Sequence, residues 1–172
     1  LFISPFEETV FGLLVRAGYV NASHILTCET NYGDYIDRFA SFIPRSFAPM
    51  VVDTDVYSPG EETATRERWR DEIGGSQYIL CVCRQAWEWK GNDKLIRGYK
   101  RAVEMGADSL RLVLMGWGPD IDRSKALIRE LNLQDRVMWE RLRSKPTLLR
   151  LQRAADVVAD NFVMEGYGTS VL

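Results

Sequence analysis

Two short stretches, far apart in the chain, hold side chains suited to one kind of ligand. The first is Arg84-Gln85-Ala86-Trp87-Glu88-Trp89-Lys90-Gly91, which carries a guanidinium and an ammonium. Arginine offers a planar fork of donors and lysine a mobile point charge, a combination that suits a diphosphate better than a carboxylate. The second stretch is Glu165-Gly166-Tyr167-Gly168-Thr169. Its two glycines let the backbone come close to a ligand, and a helix opening there would present unpaired N–H groups and the positive end of its dipole to an anion. Glu165 would repel a phosphate, so it is read as accepting hydrogen bonds from a hydroxyl-rich neighbour such as a sugar.

Other constellations are weaker. Asp53-Thr54-Asp55 has the spacing of a divalent-cation site on a nucleotide-sugar, but the segment runs into Ser58-Pro59-Gly60 and reads as a solvated linker. His24 and Cys28 lack a second ligand pair, so no metal site is expected. Cys81 and Cys83 fall on one face of an apolar run and, with Cys28, read as buried thiols of a reducing compartment, hence a cytoplasmic protein. A net charge of −2 gives no global field for nucleic acid. Six basic residues, Arg136, Arg141, Arg143, Lys145, Arg150 and Arg153, form a local exception. They read as a solvated face, with a peripheral contact to lipid head groups at a membrane surface left open. No apolar run approaches the roughly 18 residues of a membrane span. The chain starts with Leu rather than Met, which suggests a fragment or a processed chain.

The elements that must position these groups follow from local patterning. Ser4-Pro5-Phe6-Glu7 combines an N-cap, a first-turn proline and a capping-box glutamate, which predicts a helix over 5–20. Strands are expected at 23–28 and 47–52, the latter interrupted by Pro49, with a helix at 31–39 between them. An exposed helix is expected near 63–73. From Tyr78 the pattern becomes regular. Apolar strands are predicted at 78–83, 110–115, 137–139 and 157–159. They alternate with a helix at 93–105, capped by Asn92 and stopped by Gly106, a helix carrying Leu127, Ile128 and Leu131, and one capped by Ser144 carrying Leu148, Leu151 and Ala155. Strands that are apolar on both faces, each followed by a helix, imply an α/β fold with a doubly wound parallel, Rossmann-like sheet. With the strand order 3-2-1-4, ligands bind where the order reverses, outside the C-terminal ends of the first and fourth strands. The two chemically loaded stretches follow those strands.

The runs 84–91, Leu114-Met115-Gly116-Trp117-Gly118-Pro119, Asp135-Arg136-Val137, Ala155-Asp156-Val157-Val158 and Glu165-Gly166-Tyr167-Gly168, in this order, resemble the nucleotide-sugar domain of the GT-B retaining glycosyltransferases of family four. The resemblance is close over 76–172 and implies a GT-B donor-binding domain at 63–172 that is truncated at its end. It further implies an interdomain linker at 53–62 and the C-terminal part of an acceptor-side domain at 1–52.

By that resemblance Arg84 and Lys90 hold the donor diphosphate, Glu165 contacts the donor sugar, and Gly166 and the backbone amides of Tyr167, Gly168 and Thr169 cradle phosphate. Gly116 lines the donor site, and Glu140, Arg141 and Leu142 face the base. Lys90 stands one position further from Arg84 than in the family's pattern, and the second glutamate of the family's Glu-x7-Glu motif would fall just after Leu172. The implied activity is transfer of a sugar from a nucleoside-diphosphate donor to an acceptor hydroxyl with retention, without an obligatory metal or other cofactor. The acceptor is open among a saccharide, a lipid-linked and a small molecule. This chain alone is expected to be inactive. The alternative is a non-catalytic nucleotide-binding module; a dehydrogenase is disfavoured because the loop after the first strand lacks Gly-x-Gly-x-x-Gly.

Overall fold

The computed structural model describes residues 5–27, 33–49 and 51–163. The chain divides into two compact units, Leu1–Val52 and Asp53–Leu172.

In the first unit, α1 (Pro5–Val20), β1 (Ile25–Thr27), α2 (Gly33–Ala40) and β2 (Arg45–Phe47) follow in order. The strands are parallel, with Ile25 opposite Arg45 and Thr27 opposite Phe47. Ile25, Ile36 and Ala40 are buried together against Tyr19, Ala22 and Ile43. The second strand lies earlier than the expected 47–52: Ala48 donates the last ladder bond, to Thr27 O at 2.8 Å, and Pro49 has no N–H to continue it. His24 spends its Nε2 on Ser46 Oγ, 2.9 Å away.

The second unit runs α3 (Thr63–Ile73), β3 (Gln77–Cys81), α4 (Trp87–Lys90), α5 (Asn92–Glu104), β4 (Leu110–Met115), α6 (Ile121–Glu130), β5 (Val137–Glu140), α7 (Lys145–Ala154) and β6 (Val157–Ala159). Its four strands are parallel and lie in the order β5-β4-β3-β6, the doubly wound 3-2-1-4 arrangement. Side chains alternate between the two faces, as the pleat requires. Cys81, Leu112 and Leu114 pack with Leu95, Ile96, Tyr99, Leu127 and Ile128 of α5 and α6. Tyr78, Leu80, Val113 and Met115 pack with Trp69 of α3 and with Leu151 and Ala154 of α7. Asp156 ties β6 to β3, accepting from Tyr78 N at 2.7 Å and from Arg66 Nη2 at 2.9 Å.

Three local expectations change. The helix expected to be exposed, α3, buries Trp69 completely; Thr65, Trp69 and Ile73 recur every four residues and make a narrow stripe on an otherwise charged helix. Asn92 does not cap α5. It is the first helical residue, and its side chain turns back to accept from Ala86 N at 2.8 Å, leaving Gly91 at the cap. The segment read as a linker, 53–62, folds onto α7: Arg153 donates to Ser58 O at 3.1 Å and Val56 O at 3.2 Å, and Arg150 pairs with Glu62 at 3.1 Å. Asp53 is spent on its own turn, accepting from Asp55 N at 3.1 Å. No helix among the described residues is long and apolar enough to cross a membrane.

Candidate functional site

The loop from β3 to α5 is held in place by a buried glutamine. Gln85 N donates to Trp117 O at 2.8 Å, Gln85 O accepts from Asp120 N at 2.9 Å, its Nε2 reaches Met115 O at 3.3 Å and its Oε1 accepts from Ser124 Oγ at 2.8 Å. Every polar group of a fully buried residue is thereby satisfied, which fixes the loop after β3 to the loop after β4. Next in the chain, Trp87 donates its backbone N–H to Asp120 Oδ2 and its indole N–H to Ser124 Oγ, both at 2.8 Å. Arg123 lies 4.3 Å over the Trp87 ring and bonds Asp120 at 2.8 Å. The Trp87 N–H, followed by Arg123, holds the Asp120 carboxyl below its ordinary range. Gly118 makes this approach feasible: at φ +120° it lies so close to Gln85 that a Cβ would stand 2.4 Å from Gln85 O.

Arg84 projects from this fixed loop, exposed, and forms no hydrogen bond to the described residues. Lys90, the other cation of this stretch, lies at the end of α4, a one-turn helix in what the sequence suggested was plain loop. Gly91 closes it in the left-handed conformation, with its N–H on Trp87 O at 2.9 Å. Lys90 Nζ then sits 3.3 Å from Asp160 Oδ1.

That contact joins the loop after β3 to the one after β6. Phe162 N donates to Lys90 O at 3.1 Å, the Cys83 thiol to Asp160 O at 3.0 Å, and Gly91 packs against Phe162 and Val163. The two loops meet because β3 and β6 are sheet neighbours. Asp160 was missed from sequence, although an acidic residue directly after the apolar run 157–159 was a readable signal.

The other predicted residues are placed as follows. Gly116 N donates to Glu140 O at 2.7 Å, and a Cβ there would stand 3.3 Å from that oxygen. The Glu140 carboxylate, expected to face a base, is instead buried on the α3 side of the sheet. It accepts from Trp69 Nε1 at 2.9 Å and from Arg68, with Arg143 at 3.7 Å. Burial pushes its pKa up, but the hydrogen bonds from Trp69 and Arg68 and the two guanidinium charges outweigh this and hold it below the ordinary value. Arg141 and Leu142 are exposed beyond β5. Of the basic cluster, Arg136, Arg143, Arg150 and Arg153 have partners within the chain. Glu165, Gly166, Tyr167, Gly168 and Thr169 lie outside the described residues.

The loops after β3 and β6 thus meet at the reversal point of a doubly wound sheet, with Arg84 exposed on the first and Lys90 joined to the second. The model of the family "Glycosyl transferases group 1" matches residues 64–172. The chain belongs to the group 1 glycosyl transferases. A curated relative, D-inositol 3-phosphate glycosyltransferase of Corynebacterium glutamicum, is 29% identical over 123 residues, which are 67% of this chain and 29% of the relative. Among solved structures, HepE of Anabaena, in complex with UDP and glucose, matches at a TM-score of 0.75 and 16% identity over 96% of this chain and 46% of HepE. Sucrose-phosphate synthase of Thermosynechococcus elongatus matches at 0.70 and 18% over 92% of this chain and 40% of that protein. At such identities the likeness shows the fold, which is that of GT-B glycosyltransferases. The group 1 transferase chain spans under a third of its curated relative and under half of these structures.

Proposed function

We propose that residues 63–172 form the donor-binding part of a retaining glycosyltransferase that moves a sugar from a nucleoside-diphosphate donor to an acceptor hydroxyl without an obligatory metal. The observation that carries this is the meeting of the loops after β3 and β6, with Lys90 joined to the loop after β6 and Arg84 exposed on the loop after β3. In this reading Arg84 and Lys90 stabilise charge developing on the diphosphate leaving group, each by roughly 2 to 4 kcal/mol. The amides of Tyr167, Gly168 and Thr169 add to that field, with Gly166 giving the backbone room, and Glu165 accepts from sugar hydroxyls. Gly116, Arg141, Leu142 and the main chain of Glu140 border the base; the buried Glu140 carboxylate is engaged elsewhere. The unit of residues 1–52 is assigned to the acceptor side, and the acceptor to the class of hydroxyl-bearing saccharides, lipid-linked sugars and small molecules. A cytoplasmic protein of this kind would meet a lipid-linked acceptor at the membrane surface.

UDP is the first nucleotide to test, since HepE is seen with UDP and with UDP-glucose. Titration calorimetry with UDP, GDP and ADP should show one of them binding this chain. No binding by any of the three at millimolar concentration would overturn the donor-site assignment.

A further inference from the structure

Asp160 stands where β6 gives way to its loop, with its side chain 4% exposed. One carboxylate oxygen is 3.3 Å from Lys90 Nζ, and the other is enclosed without a hydrogen-bond partner among the described residues. A buried carboxylate with an unpaired oxygen is costly and calls for a reason. The first consequence concerns Lys90. If its ammonium swung away to serve a phosphate alone, Asp160 would become an uncompensated buried charge, which is strongly unfavourable. Lys90, 22% exposed and with three N–H donors, can instead keep Asp160 and bridge to a phosphate. The pair then has no net charge, so Lys90 acts on the phosphate as a tethered donor, and Arg84 supplies the net positive charge.

The second consequence concerns what the carboxylate does to the ligand. A nucleotide-sugar diphosphate carries two negative charges. When the sugar–oxygen bond breaks, its electron pair remains on the phosphate oxygen, so the nucleoside diphosphate left behind carries close to one more negative charge near neutral pH, the second phosphate pKa being about 6. A fixed carboxylate beside the diphosphate repels that extra charge, and through an effective dielectric near 20 one unit charge about 10 Å away changes affinity by about tenfold.

Resting on the donor-site assignment above, we propose that Asp160 is a specificity-determining residue that sets donor above product. It tethers Lys90 and disfavours retention of the nucleoside diphosphate relative to the nucleotide-sugar.

The test compares UDP and UDP-glucose, by calorimetry or competition, on the unmodified chain and on Asp160→Asn. That substitution keeps an acceptor for Lys90 and nearly the same shape while removing the charge. Expected is that UDP tightens about tenfold more than UDP-glucose does, since the two ligands differ by close to one charge. Asp160→Ser is measured in parallel, so that the comparison stands if one variant fails to fold. Unchanged or weaker UDP binding in the folded variant, or equal tightening of both ligands, overturns the inference while leaving the donor site in place. Absence of UDP and UDP-glucose binding by the unmodified chain overturns both.

Discussion

Gly118→Ala should be among the most damaging small substitutions in this molecule. The residue sits at φ +120°, a region that L side chains rarely adopt, and a Cβ there would stand 2.4 Å from Gln85 O, 2.6 Å from Gln85 N and 2.9 Å from Gln85 C. The atoms in the way are backbone, and Gln85 has no room to yield. Its N–H is bonded to Trp117 O at 2.8 Å, its carbonyl to Asp120 N at 2.9 Å, and its side chain to Met115 and Ser124. Backbone strain of roughly 1 to 3 kcal/mol adds to an overpacking cost of roughly 1 to 3 kcal/mol. The expected loss is therefore about 2 to 6 kcal/mol, a large share of the roughly 5 to 15 kcal/mol that holds a typical domain together. Urea unfolding followed by tryptophan fluorescence reads the loss directly, because Trp87 and Trp117 lie on the affected loops. If the loops instead separate to relieve the clash, Arg84 moves with them and UDP affinity falls while the urea midpoint holds. A variant within 1 kcal/mol of the parent and with unchanged UDP affinity would refute the claim that Gln85 fixes these two loops together. Gly116→Ala is the internal control: it has no positive φ and meets one carbonyl oxygen at 3.3 Å, so its cost should be clearly smaller.

Arg84→Ala should weaken UDP binding by roughly 1.5 to 3 kcal/mol, the scale of a charge-assisted hydrogen bond, with the urea midpoint unchanged because the side chain is exposed; equal affinity would move the diphosphate elsewhere. Gly98→Ala, in the middle of α5 with nothing within 4 Å of a built Cβ, should raise stability by about 0.5 to 1 kcal/mol, and a loss would show that the helix face is not open. Glu140→Gln should cost roughly 1 to 3 kcal/mol at pH 7, as the Trp69 and Arg68 bonds lose their charged acceptor. Because the Glu140 carboxyl is held below its ordinary 4.5, its stabilisation is complete above that pH and is lost as pH falls through the folded value. The gap between parent and variant in urea midpoint should therefore close below about pH 4.5, and a gap that persisted into acid would mean that the pair does not act through charge.

The fold was legible where the deciding information is local. Runs such as Leu112-Val113-Leu114-Met115, followed by Gly-x-Gly-Pro, announce a buried strand and its turn within a few residues, and a repeated strand–helix alternation leaves little choice of architecture. Where the answer depended on a distant partner, local pattern misled. In α3 only every fourth residue is packed, so the helix read as exposed even though Trp69 is fully enclosed against a residue 71 positions away. Asn92 looked like a cap by position, yet the loop before α5 folds back far enough to take its side chain.

The candidate site divides along the same line. Adjacency of β3 and β6 follows from strand order, so the meeting of their loops could be deduced from topology alone. Which carboxylate Lys90 meets could not, because that depends on the turn of α4, on Gly91 lying close to Phe162 and Val163, and on a pairing across 70 positions. Residue types favoured Glu165 as the acidic group of the site, since it stands in a glycine turn with an obvious chemical use. Asp160 has no such turn, and its role arises from burial: among the described residues one of its oxygens is unpaired and the other faces the Lys90 ammonium. The same holds for Glu140, whose place in the chain suggested ligand contact and whose enclosure beneath Arg68 and Trp69 makes it a brace for the sheet instead. For charged residues at strand ends, position in the topology decides which loops meet, while depth of burial decides whether the charge faces a ligand or another part of the protein.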